Sequence, residues 1–249
     1  IDTSLELPTL RFTTPRPDML NLKDLRFAYG TIQTLHGVSA TMSAGRVTCV
    51  IGRNGVGKTT LLKVIMGILR SDSGSIHLDD LDLTALAANR RAHQGIALVP
   101  QGRQIFPKLS VADNLRVGLE AARPRIRKVP RDVYDLFPIL WDNRHRSGGN
   151  LSGGMQQQLA IARALVSNPR VLLLDEPTEG IQPNIIQQIG EVLRNLVAEK
   201  NMTVVLVEQY LDFVKEFGHD FYIMNRGRIT ADGETADLTQ ELISNYLSV

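Results

Sequence analysis

The stretch "VIGRNGVGKTTLLKVI", residues 50–65, sets three glycines, two lysines and two threonines between an apolar run and a helical pattern. Before it, "RVTCVIG" (46–52) reads as a short buried strand, rich in Val, that stops where glycine begins. After it, Leu61, Leu62, Val64, Ile65 and Ile68 recur at helical spacing, so the chain runs from strand through a glycine loop into a helix. Gly52, four residues, then Gly57, Lys58 and Thr59 is the spacing of a phosphate-binding loop. Glycines let successive backbone N–H groups face one concavity, so the amides of Gly52, Asn54, Gly55, Val56 and Gly57 are expected to cradle a polyphosphate at the positive end of the following helix. Lys58 is expected on the β- and γ-phosphates, Thr59 on Mg²⁺, and Thr60 beside it.

Composition bounds the rest. A chain of 249 residues can bury a substantial core, and 28 basic against 26 acidic residues leave a formal charge of only +2. No strong field therefore points to nucleic acid or to a membrane surface. The single cysteine, Cys49, excludes an internal disulfide and reads as a small buried hydrophobe. No apolar run approaches the roughly 20 residues that span a bilayer, and no signal-peptide pattern is present. The five histidines, His36, His77, His93, His145 and His219, lack metal-ligand spacing. The basic run Arg123 to Arg131 holds no interleaved aromatic residue, so it reads as a solvated loop.

Along the chain, residues 1–20 carry three prolines and no period, which suggests a loose tail before one domain over 21–249. From Leu22 to about Thr48, strand-like pieces broken by "AYGT" and "SAGR" suggest an antiparallel lobe; a helical subdomain is expected over about 103–166. Beyond it "RVLLLDE", a helix through Ile185, Ile189, Val192, Leu193 and Leu196, and "MTVVLVE" alternate, so the expected fold is α/β with a mixed sheet core.

Two further motifs narrow the chemistry. In "VLLLDEP" an apolar strand delivers Asp175 and Glu176 to the sheet edge, where open α/β sheets bind their ligands. Asp175 is expected to hold Mg²⁺ through its water shell, and Glu176 to orient or deprotonate the attacking water. In "NLSGGMQQQLAIARAL", Ser152 stands as the N-cap of a helix whose face runs through Met155, Leu159 and Ala162. Its hydroxyl and the Gly153 and Gly154 amides form a second anion-directed helix start.

The order phosphate loop, "LSGG", "VLLLDEP" resembles the ATP-binding subunit of an ABC transporter over nearly all the chain after residue 20. The resemblance implies a P-loop NTPase of ABC type that hydrolyses ATP with Mg²⁺ at the cytoplasmic side of the plasma membrane. It implies a second ATP-binding subunit closing head to tail, so that "LSGG" of one chain covers the other's ATP, together with integral membrane permease subunits, an indirect solute-binding protein and no nucleic acid. By the same likeness Gln101 in "VPQGRQIFP" touches Mg²⁺ or water and links the site to the membrane subunits, and Tyr29 in "FAYG" stacks on adenine; the plainer alternatives are a loop amide and a hairpin aromatic. "EGIQPNIIQ" and "VEQYLDF" are similar to the branched-chain amino acid importer branch, and most of all to its urea-type subunits, which implies urea or short amides as solute. A branched-chain amino acid importer is the alternative, and a non-transport ABC protein acting on nucleic acid or ribosomes is the competitor from another class. Three positions depart from the general pattern: Gln209 stands where many members carry a histidine, Gln182 where an aspartate is usual, and Met155 where glutamine is. Glutamine can donate to a γ-phosphate but carries no proton charge.

Overall fold

The structure, a computed structural model, describes residues 18–247. It opens with β1 (Asp18–Tyr29), β2 (Ile32–Ser43) and β3 (Val47–Ile51), followed across the glycine loop by α1 (Lys58–Met66). Next come β4 (Ser73–Leu78), β5 (Leu81–Asp82), α2 (Ala88–His93) and β6 (Ile96–Val99). A helical stretch holds α3 (Val111–Gly118), α4 (Arg131–Leu136), α5 (Pro138–Asp142) and α6 (Gly153–Leu165). The chain closes with β7 (Val171–Asp175), α7 (Pro183–Lys200), β8 (Thr203–Glu208), α8 (Leu211–Phe217), the hairpin β9 (Asp220–Asn225) and β10 (Arg228–Glu234), and α9 (Gln240–Leu247).

Two sheets result. The first, antiparallel, has the order β2-β1-β4-β5; the second has the order β10-β9-β3-β8-β7-β6, parallel throughout except for its β10 edge. The sequence places Val47 and Thr48 at the margin of the antiparallel lobe, whereas β3 pairs with β8 and β9 at the centre of the parallel sheet. Strand β1 begins at Asp18 and pairs with β2 from Ser43 onward, so residues 18–20 belong to the lobe and not to a tail. The remainder of the expected tail, residues 1–17, lies outside the described residues.

The parallel strands are apolar on both sides because both faces are covered. Strand alternation sends Cys49, Ile51, Leu172, Leu174, Val204 and Leu206 into one core, beneath α6, α7 and α8. Val50, Val171, Leu173, Val205 and Val207 enter a second core with α1 and the antiparallel lobe. The same parity continues to the strand ends. It sets Asp175, two residues beyond Leu173, on the α1 side.

Candidate active site

The glycine loop joins the carboxyl end of β3 to α1. Gly55 and Gly57 take φ values of 79° and 108°, the left-handed region that glycine enters without steric cost. Gly52 lies against the Met224 carbonyl of β9 with no room for a side chain. Among the described residues, no protein group accepts from the backbone amides of residues 54–60. That leaves a run of donors converging at the start of α1.

Lys58, whose side chain is 4% exposed, curls beneath this loop; its Nζ donates to the carbonyls of Gly52 at 2.8 Å and Arg53 at 3.0 Å and lies 3.6 Å from Glu176 Oε1. Burial pulls the ammonium below its ordinary value, and Glu176 partly offsets that. Thr59 Oγ1 donates to Asp175 Oδ1 at 3.2 Å. Asp175 is 4% exposed, and burial raises its carboxyl above the usual range, against the opposing pull of the Thr59 hydroxyl. A buried carboxylate beside a hydroxyl is an all-oxygen donor pair of the kind a hard divalent cation takes.

Glu176 follows the strand with φ 48°, held by its N–H donating to the Val207 carbonyl at 2.9 Å. Two glutamines flank its carboxylate. Gln101 Nε2 donates to Oε2 at 3.3 Å and to Glu179 Oε2 at 3.0 Å. Gln209 Nε2 donates to Oε1 at 2.6 Å and to Asn54 Oδ1 at 2.7 Å. Strand-end residues from three loops thus meet the glycine loop at one edge of the sheet, as the position of ligands in open α/β sheets requires.

Other expected residues lie apart from this cluster. Tyr29 ends β1, is 47% exposed, and meets Phe27 edge-on with ring centroids 4.8 Å apart. Ser152 caps α6, accepting from the Met155 N–H at 3.3 Å. A side chain at Gly153 would crowd the Arg103 guanidinium, and one at Gly154 the Ile185 side chain. Among the described residues no hydrogen bond joins Ser152, Gly153 or Gly154 to the loop 52–60. Within one chain, therefore, the starts of α1 and α6 do not share a site.

Three residues that sequence reading did not single out complete the arrangement. Glu179 takes the second bond of Gln101. Arg163 of α6 donates to the carbonyls of Arg103 and Gln104, tying the Gln101 loop to the capped helix. Glu208, 2% exposed, ends β8 beneath Gln209. A carboxylate closing a run as apolar as "TVVLV" was the legible sign of the last of these.

The sequence profile of the ABC transporter family matches residues 35–179. The chain belongs to that family. It is 41% identical over 212 residues to the high-affinity branched-chain amino acid transport ATP-binding protein BraG of Pseudomonas aeruginosa, covering 85% of this chain and 91% of that protein. It is 33% identical over 223 residues to the probable branched-chain amino acid transport ATP-binding protein LivF of Archaeoglobus fulgidus, covering 89% and 94%. Among solved structures, a nucleotide-free ATP-binding cassette from an ABC transporter superposes with a TM-score of 0.80 at 30% identity, over 93% of this chain and 96% of that one. This ABC cassette is an ATPase, and the fold read from its sequence, an α/β core with an antiparallel lobe, is the fold these cassettes share. Among the described residues no helix is long and apolar enough to cross a membrane.

Proposed function

We propose that this cassette powers an importer by Mg²⁺-dependent ATP hydrolysis, in a head-to-tail dimer on membrane-embedded partners. The observation that carries the reading is the Glu176 carboxylate, held by Gln101 and Gln209 within 3.6 Å of Lys58, with Asp175 and Thr59 alongside. The free amides of residues 54–60 and Lys58 bind the phosphates, while Thr59, Asp175 and Gln101 would hold Mg²⁺. The ion neutralises phosphate charge when bound. Glu176 takes the proton of the attacking water, and Gln209 steadies the γ-phosphate as a neutral donor. Tyr29 offers an exposed ring for adenine. Ser152, Gly153 and Gly154 of a second chain lid the nucleotide, which accounts for their separation from the loop in this one.

An open groove of about 590 Å³ between α1, β6, α3 and α6 supports membrane partners. It displays the exposed side chains of Ile68, Phe106 and Val117, and Gln104 of the Gln101 loop lies along it. A partner helix seated there would press on the loop that touches Glu176. As to solute, two relatives with branched-chain amino acid names weigh for those amino acids, over the urea or short amides that the local motifs suggest.

The test is to reconstitute the cassette with its membrane and solute-binding partners and to measure ATPase and uptake with leucine and with urea. Leucine-stimulated hydrolysis supports the reading; stimulation by urea alone moves the solute. No Mg²⁺-dependent hydrolysis in the full complex overturns the mechanism.

A further inference from the structure

Hydrolysis needs two loops to keep one relative position: the loop after β7 that carries Glu176 and the loop after β8 that carries Gln209. Besides the Gln209–Glu176 bond itself, one buried side chain joins them. Glu208 Oε1 accepts from the Thr178 N–H at 3.1 Å and from the Thr178 hydroxyl at 2.7 Å. Its Oε2 accepts from the N–H groups of Gln209 at 2.9 Å and Tyr210 at 3.1 Å. Four uncharged donors from two loops thus saturate one carboxylate that is 2% exposed. Burying a carboxylate is costly unless its oxygens are fully bonded, and a residue that only filled space here would be apolar like its strand neighbours. Strand parity places Glu208 with Val204 and Leu206, on the face opposite the one that α1 covers. Its carboxylate borders Gly52 and Arg53 and its charge is felt at Lys58, but its four hydrogen bonds all go to residues 178, 209 and 210, through which it acts on the phosphate site.

We propose that Glu208 is a positioning residue for the hydrolytic step, clamping residues 176–180 and 209–210 into one unit so that the Gln209 amide meets the Glu176 carboxylate at 2.6 Å. The inference rests on the ATPase reading of the same site. Both ends of the clamp are needed. Glu208→Gln retains one acceptor oxygen; its nitrogen can donate to the Thr178 hydroxyl but leaves the Thr178 N–H without an acceptor. Glu208→Ala releases both loops. Thr178→Val removes only the hydroxyl bond.

The experiment measures, on the full chain, amide hydrogen exchange at residues 178, 209 and 210, ATP affinity, and single-turnover hydrolysis. Glu208→Gln is expected to hold ATP within about twofold of the parent while hydrolysis falls about tenfold to a hundredfold, the scale on which a small misplacement of reacting groups acts. Thr178→Val should lie between, Thr178→Ser should fall less than Thr178→Val, and the Glu208→Gln/Thr178→Val double variant should lose less than the two losses combined. Exchange should quicken on both loops together in Glu208→Ala, or in Thr178→Val if the alanine variant does not fold. Parental turnover in a folded Glu208→Gln protein, or quickened exchange confined to one loop, overturns the clamp. A parent chain with no hydrolysis would fail the ATPase reading, and the exchange measurements would still decide whether the two loops form one unit.

Discussion

Asp175 and Glu176 are neighbours with opposite requirements. Glu176 accepts from two glutamine amides and lies 3.6 Å from Lys58, so its carboxylate is held in one place at the mouth of the glycine loop. Glu176→Gln retains the loop amides and Lys58, and is expected to keep ATP affinity while turnover falls on the order of 10² to 10⁴, the contribution usual for a positioned general base. Steady-state hydrolysis near that of the parent would remove Glu176 from the role. Asp175 is instead held as a charge that the fold disfavours, since burial raises its pKa above the unfolded value. The folded state then binds the proton more tightly than the unfolded one, so ionisation costs stability at neutral pH and the cost disappears as pH falls below the carboxylate range. Asp175→Asn should accordingly melt higher at neutral pH, by roughly 2–4 °C if about 1 kcal/mol is relieved in a domain of this size, and the gap should close in acid. The same variant should lose Mg²⁺-dependent hydrolysis. A melting point lowered at neutral pH, measured by scanning calorimetry across the pH range, would contradict the assigned cost.

At the scale of elements, the position of the loops after β7 and β8 depends on close helix approaches. Gly190 of α7 faces the Phe217 ring of α8 with no space for a methyl group, and that contact packs the two helices that follow β7 and β8. Gly190→Ala should gain a little helix propensity and lose more to overpacking, a net destabilisation of about 1–3 kcal/mol by denaturant titration. Unchanged stability would mean that α8 can shift freely. The strands and helices themselves were legible because periodicity reports burial: "VLLLDE" and "MTVVLVE" read as buried strands and form β7 and β8. The helix starts at Lys58 and after Ser152 were legible through their glycines and cap. Sequence adjacency failed where partners are distant in the chain. β3 was legible as a buried strand, with the lobe's end placed near Thr48, but not its partners, since its hydrogen bonds go to β8 and β9, which lie more than 150 residues further on. Glu208 escaped notice for the same reason, since Thr178 is its partner only once β7 and β8 lie side by side.

For the whole molecule, the decisive fact is that the glycine-flanked starts of α1 and α6 do not meet within one chain. Ser152 is exposed and Gly153 and Gly154 are half-buried, with the Ser152 hydroxyl bonded to the Met155 N–H, so the cap serves α6 alone unless a second copy brings a nucleotide to it. On the proposed reading, a nucleotide bound only by the loop of residues 52–60 would leave its outer face to water, and closure by a second chain would exclude that water and add donors to the γ-phosphate. Hydrolysis would then reopen the pair. A chain that binds ATP but cannot spend it should accumulate in the closed form. In the Glu176→Gln background, ATP with Mg²⁺ is expected to double the mass seen by light scattering, and omission of ATP to return it to that of the single chain. Adding Ser152→Trp should hold the mass at the single-chain value while ATP still binds, because the bulky ring blocks the lid and leaves the loop untouched. Adding Lys58→Ala should hold it there by weakening nucleotide binding. A dimer that forms equally well without ATP, or that tolerates Ser152→Trp, would show that the two chains meet through some other surface.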